Sequence, residues 1–521
     1  MKQKPVGVGP CVRHDIEVFC RDTACRVPTR PCVHLITVLL CIVLLCRVTT
    51  AQAGDRDKLT VAVGKDAYIT AGPRTNLGRY PLNANIFEAL TTFDQHFRLQ
   101  PCLAVSWEYQ GERTWLFRLR RNVRFHDGSP LIAAAVQASL ERQAEAGTLL
   151  FSFERITAPD KYTLAITTPE ENLILPYILS HPYMGITGSA GPENKPIGTG
   201  PFRFVRYKKD QLLEVARNTE YWGDKTQSAG IIFRFLPDHA ARVMAFLAKE
   251  ADVLVDIPWE VLPQLRNRPG CRMYTSPPGT YTGLMLSTQG VLKDKAVRQA
   301  VAMALDRKAI NQALWQGMGT TRPTLLAPSF LGASADLLPD MPYNNPTKAK
   351  ALLRGQRVSL RLIAGFPDAE SHGMLPELLQ AQLAAAGIRV QLQKISDTGL
   401  YHSLMKAHKG DLWLEKGNLN SADLTFLPHL LFHPDGFYPK QLGTTAGTEQ
   451  FCTLIAQARA TRSDEAFRKY TALALQEIIH EEMLFIPLGE LPFVLAAQAK
   501  VQVPELHPTL LSIRWDRFAV Q

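Results

Sequence analysis

The chain has 521 residues, 46% hydrophobic, 20% charged and 8% aromatic, with 34 Gly and 35 Pro. This is a globular composition, and it excludes collagen, coiled coil and intrinsic disorder. A single core is unusual at this length, so several domains with a cleft between lobes are expected. The formal net charge is +10. Residues 1–53 hold seven Lys and Arg against three Asp and Glu, which leaves 51 against 45, or +6, for the other 468 residues. No long Lys/Arg block occurs, so nucleic acid is not an expected partner.

In chain order, the first signal is the apolar run Leu35–Leu45, LITVLLCIVLL, preceded by Arg21, Arg26 and Arg30. It is short for a membrane span and suits the core of an export signal. Small residues in Thr49-Thr50-Ala51-Gln52-Ala53 predict cleavage after Ala53 and a periplasmic mature chain beginning at Gly54. Cys41 and Cys46 each follow Leu, unlike a lipoprotein site. The leader ahead of the run, with Cys11, Cys20, Cys25 and Cys32, matches no metal pattern. Only Cys102, Cys271 and Cys452 follow. Three scattered cysteines form no disulfide framework, and they read either as one pair plus a free thiol or as three small hydrophobes.

Leu59, Val61 and Val63 alternate as in a strand, and so do Trp115, Phe117 and Leu119. Asp127-Gly128 is a tight turn, after which Ser129 as cap and Pro130 at the first position predict a helix to about Arg142. Asp238 caps a helix with Ala240, Val243, Met244 and Leu247 on one face. Val297, Ala300, Val301, Ala304 and Leu305 mark another helix. Leu375–Ala386 reads as a helix closed by Gly387, followed by a strand from Ile388, and Ser463 opens a helix carrying Phe467, Tyr470, Ala474 and Ile478. The pattern is α/β with mixed sheets. Pro277-Pro278-Gly279 and Ile486-Pro487-Leu488-Gly489 are expected crossings between lobes. They divide the chain into a leader and signal peptide at 1–53, a first, discontinuous lobe at 54–278 plus 487–521 with an inserted subdomain at about 90–195, and a second lobe at 279–486.

A search for chemistry finds neither a Gly-x-Ser-x-Gly elbow nor a phosphate loop. His480-Glu481-Glu482 lacks the second histidine of a zinc protease helix. Gly198-Thr199-Gly200 runs into Pro201-Phe202 rather than a helix and reads as a tightly packed turn. His429 and His433 have the spacing of one helix face, but Pro428 and Pro434 argue against a regular helix, so they read as rim histidines. No catalytic residue, metal site or cofactor is expected.

Four ordered stretches carry a resemblance. They are Ala104–Trp107 with Thr114–Arg120 and Val123–Pro130, then Pro196–Phe202 with Arg217–Gly223, then Ala245-Phe246 with Glu250–Asp252, and then Val297–Arg307. Together they are similar to the family 5 extracellular solute-binding proteins, the dipeptide-, oligopeptide- and nickel-chelate-binding components of ABC importers. The resemblance implies a two-lobed periplasmic-binding-protein fold of the type II kind, with closure around a solute and delivery to the permease membrane subunits. It implies no bond chemistry, and a monomer is expected. The shared motifs are turns, caps and packing aromatics; Trp107, Trp115 and Trp222 read as core.

For the ligand, the resemblance points to Gly417–Leu427. There the position that pairs a peptide's ammonium in peptide binders falls on Asn420 and the preceding Trp position on Asn418, while Asp423 matches. In the nickel-chelate binders the carboxylate-gripping Arg position falls near His181, and pocket aromatics fall on Asn418 and Ala422. Tyr80, Asn83, Tyr281 and Lys416 complete the candidate lining, with Glu415 beside them. These side chains suit a peptide-like, uncharged or zwitterionic solute. A nickel or other metal chelate is the alternative, and a sensor and a secreted hydrolase are the further readings.

Overall fold

The computed structural model describes residues 57–64, 85–147, 149–189, 195–320, 324–340, 344–365, 373–418, 421–509 and 513–521. The leader, the apolar run and the expected cleavage point lie outside them. No helix among the described residues is long and apolar enough to cross a membrane.

Two mixed sheets organise the chain. The first is built around β1 (Lys58–Val63), which lies between β10 (Gly230–Phe235) and β11 (Val253–Leu254), parallel to both. Alternation along β1 sends Leu59, Val61 and Val63 into one apolar cluster with Phe233 and Trp515. Ala62 goes into another, with Val243 and Phe246. Antiparallel strands β8 (Phe202–Lys208) and β9 (Leu212–Arg217) extend one edge, and β12 (Cys271–Thr275) and β18 (Val494–Gln498) the other.

Between β1 and β8 sits an insertion. The hairpin β2 (Thr91–Phe93) and β3 (Leu99–Pro101) leads to an antiparallel sheet of β4 (Ala104–Gly111), β5 (Thr114–Leu119), β7 (Thr163–Thr167) and β6 (Arg155–Asp160). The alternate residues Trp115, Phe117 and Leu119 face its core.

The second sheet has the order β15 (Ile388–Lys394), β14 (Val358–Ala364), β16 (Leu412–Asn418), β13 (Thr280–Leu286), β17 (Phe485–Leu491). β14 runs parallel to β15 and β16, while β13 is antiparallel to β16 and β17. The chain therefore changes sheets between Thr275 and Thr280 and again between Leu491 and Val494. Ile486–Gly489, expected as a crossing, lies inside β17: its Pro487 sits at a register shift opposite Gly283, where the strand tolerates a missing N–H. The two crossings pair with each other, Gly279 N donating to Leu491 O at 3.1 Å and Ser276 N to Phe493 O at 3.0 Å.

Local differences from the sequence reading have physical causes. Asp127 Oδ1 takes both the amide and the hydroxyl of Ser129, at 2.9 and 2.6 Å, and Pro130 is bridged to Arg124. The helix therefore begins at Ala133, without a side-chain cap. The helix His239–Leu247 is capped by Asp238 as expected, but it buries Arg242, Val243, Ala245 and Phe246 and leaves Met244 exposed. The arginine is drawn inward by three carbonyl acceptors, Leu236, Pro237 and Asp256. The helix Lys295–Ala304 buries the expected apolar face, Gly387 follows Leu375–Ala385 at φ +84°, and Ser463 caps Asp464–Leu475. His429 lies in the helix Phe426–Phe432, which holds Pro428 in its first turn, and His433 is the extended residue that ends it, the two rings stacking at 4.1 Å. Cys102, Cys271 and Cys452 are all free thiols.

Candidate ligand-binding site

In open α/β sheets ligands settle beyond the carboxyl ends of parallel strands, where chain order reverses. The second sheet reverses at β14: the chain leaves it for β15 on one side and then crosses to β16 on the other. The carboxyl ends concerned are Ala364-Gly365 and Asn418. In the first sheet the corresponding end is Gly64, after β1. Its amide donates to Asp256 Oδ2 at 3.1 Å, and buried Arg242 lies so close that a Cβ at Gly64 would stand 3.0 Å from its Nη1. A side chain there would displace the guanidinium that ties Leu236 and Pro237, after β10, to Asp256, beyond β11.

The edge of the second sheet is built in two layers. Side chains alternate along β16, so Lys416 and Asn418 share a face with Thr282 and Thr280 opposite them, while Glu415 and Gly417 share the other with Tyr281. On the first face Thr280 Oγ1 donates to Asn418 Oδ1 at 2.5 Å. On the second, Glu415 is wholly buried and accepts from the hydroxyls of Tyr401 and, at 3.1 Å, Tyr438. Burial lifts the Glu415 carboxyl to about 8 against the opposing pull of these two donors. Glu490, opposite Tyr281 on β17, is likewise buried; it accepts from the amide and hydroxyl of Thr324, and burial lifts it to about 7. Tyr281 itself is buried, its hydroxyl lying against Gly417.

Beyond Asn418 the chain meets the insertion. Ala422 N donates to Ser180 Oγ at 3.0 Å, and Phe426 lies 5.8 Å from the ring of His181. His181 is buried; its Nδ1 accepts from Tyr183 N at 3.1 Å, capping the short turn Pro182–Met184. Asp423 Oδ1 is taken by the amide and hydroxyl of Thr425 at 2.9 and 2.6 Å. Thus the structure groups Lys416 and Asn418 on one face at the strand end, places Tyr281 on the opposite face beneath it, and sets His181 against Phe426. Tyr80, Asn83 and Asn420 lie outside the described residues.

A second polar cluster, missed in the sequence, explains two of the shared motifs. Glu88 accepts from Thr199 Oγ1 at 2.8 Å, Tyr221 OH at 2.7 Å and Trp222 Nε1 at 2.8 Å. One buried carboxyl therefore joins the Gly-Thr-Gly and Tyr-Trp-Gly segments, with burial raising its affinity for a proton. A Cβ at Gly198 or Gly200 would collide with the carbonyls of Ile86 or Asn85. The signal in the sequence was a lone acid inside the apolar stretch Ile86–Leu90. A separate cavity of about 320 Å³, lined by His96, Arg98, Ser329, Asp464, Glu465 and Arg468, lies away from the strand ends, and the Arg468 guanidinium in it is spent on Asp464 and the carbonyls of Phe330 and Phe97. Among the described residues no group of three or more His, Cys, Asp or Glu is arranged to hold a metal ion.

Two mixed sheets joined by a doubled crossing define a two-lobed binding protein. The profile of the bacterial extracellular solute-binding proteins, family 5 Middle, matches residues 98–439. The chain belongs to this family. It is 27% identical over 453 residues to di/tripeptide-binding protein 2 of Pseudomonas aeruginosa, spanning 77% of this chain and 82% of that one. It is 25% identical over 491 residues to the nickel-binding periplasmic protein of Escherichia coli, spanning 84% and 92%. Among solved structures, NikA from Brucella suis in complex with Fe(III)-EDTA superposes with a TM-score of 0.79 at 21% identity, covering 89% of this chain and all of that one. This last likeness establishes the two-lobed fold.

Proposed function

We propose that the chain is the substrate-binding component of an ABC importer, capturing a peptide-like solute outside the cytoplasmic membrane and handing it to permease subunits by closure of the lobes. The observation that carries this reading is the polar strand-end edge at Thr280, Lys416 and Asn418, set beside the doubled crossing at 276–279 and 491–493 in a chain of this family. Closure gives the ligand a second set of contacts, and that difference in affinity drives the population toward the closed form. The lobes are taken as 54–278 with 492–521, and 279–491, following the change of sheets. The protein is taken to work as a monomer, without catalysis, after export and cleavage following Ala53.

A metal chelate is the second reading, supported by the likeness to a nickel-binding relative and to a chain solved with an iron chelate. Thermal unfolding against dipeptides, tripeptides, glutathione and nickel chelates separates the two. Ligand at 100 times its Kd stabilises the fold by about 2.7 kcal/mol. Stabilisation by peptides supports the first reading, stabilisation by chelates alone supports the second, and a flat response to every class, with unchanged solute uptake on gene deletion, overturns both.

A further inference from the structure

We propose that the chain carries its own clasp across the cleft: segment 177–181 of the insertion grips the second lobe directly, so that closure is held in part by the protein itself, while the tip of the β2–β3 hairpin stays seated in the second lobe as a pivot. The proposal rests on closure of the two lobes and is independent of which solute is carried. At the clasp, Ser180 Oγ donates to Tyr177 O at 2.7 Å and accepts from Ala422 N at 3.0 Å. Ser180 and Ala422 are both buried. The Tyr177 ring lies 5.0 Å from that of Phe467, and the Asp464 carboxylate stands beside its hydroxyl. His181 meets Phe426 at 5.8 Å, and Ile174 is buried in the same apolar cluster as Phe467.

The helix that receives Tyr177, Asp464–Leu475, also holds the hairpin. Its buried Arg468 is fixed by Asp464 through Nε at 2.8 Å and donates to the carbonyl of Phe97 at 3.3 Å and to that of Phe330. Phe97 is wholly buried among second-lobe side chains, its ring 4.1 Å from Phe330. The hairpin is tied to the crossing as well. His507 Nε2 donates to Asp94 O at 3.0 Å, its ring packs on Phe93 and Phe97, and the carbonyl of the next residue, Pro508, presses on Gly279. A hairpin joined to both the second lobe and the crossing turns with them. The clasp parts by giving up a few polar and ring contacts, whereas withdrawing Phe97 would expose a whole aromatic side chain from a packed core. Opening therefore breaks the clasp and spares the pivot.

Amide hydrogen exchange and small-angle scattering test this on the mature protein, refolded from guanidinium to strip carried solute and checked by native mass spectrometry. Tyr177→Phe removes one hydroxyl and leaves the ring on Phe467, and it alters no group that bonds the Ala422 amide. The expected result is protection of segment 421–426 in the unvaried chain and exchange there at least about threefold faster in Tyr177→Phe, the loss of one net hydrogen bond. Combined with Ser180→Ala it should also enlarge the radius of gyration, while segment 95–99 keeps its protection. Equal exchange at 421–426 with and without the substitution overturns the clasp, as does an unchanged radius in the double variant. Loss of protection at 95–99 together with 421–426 overturns the pivot. The importer reading fails on different evidence, unchanged solute uptake on gene deletion.

Discussion

Glu415 shows how much a single residue can hold at the strand end. A carboxyl without solvent is normally replaced by an apolar group or paired with a cation. Here two tyrosine hydroxyls satisfy it instead, and the neutral form is retained up to about 8, against an ordinary value of 4.5. Between those values the folded chain holds a proton that the unfolded chain has released, so unfolding free energy falls as pH rises, by at most about 1.4 kcal/mol per pH unit. Glu415→Gln keeps the shape and removes the titration. Urea unfolding should show a shallower loss of stability between pH 5 and 8 in this variant than in the native chain; identical slopes would mean that Glu415 ionises freely in the fold. Glu415 was visible in the sequence only as a neighbour of Lys416, because nothing local announces that Tyr401 and Tyr438 will close over it.

At the scale of elements, caps were the most readable feature. Asp238 and Ser463 accept from the amides three residues on, at 2.7 and 3.3 Å, as their position ahead of apolar periodicity implied. Where local rules misled, a tertiary partner won: Arg242 turned inward to carbonyls, and Ser129 was captured by Asp127. The crossing is the element on which a hinge would depend. Gly279 lies against the Pro508 carbonyl so closely that a Cβ has no room. Gly279→Ala should cost about 1–3 kcal/mol, the range for overpacking, because the obstacle is backbone rather than a movable side chain. Denaturant midpoints would check this, and a neutral substitution would show that the segment 503–509 yields easily.

Across the whole molecule, buried titratable groups oppose one another. His126 and His507 are pushed down to about 4 by burial, so the stability they bring is present above 6.5 and is lost as pH falls toward 4. Glu415 and Glu490 are pushed up, so the stability they bring is present below 4.5 and is lost as pH rises toward 8 and 7. Between 4.5 and 6.5 the two sets offset each other; above 6.5 only the carboxyls act. The urea midpoint should therefore be higher at pH 6 than at pH 8. The reverse order would place the dominant proton linkage in groups outside these four.

The sequence by itself determined the class. Strand alternation, helix caps and turn glycines are local, and their order along the chain carried the family likeness that the profile match then established. It also located β16 and the residues at its end. Only the tertiary structure decided what those residues present. Strand pairing put Thr280 opposite Asn418, the pleat sent Lys416 outward and Glu415 inward, and the packing of helices over the sheet brought Tyr401 and Tyr438 to a carboxyl that has no charged partner among the described residues. Such contacts join residues up to 138 apart in the chain, and no local pattern encodes which face of a strand its neighbours will cover.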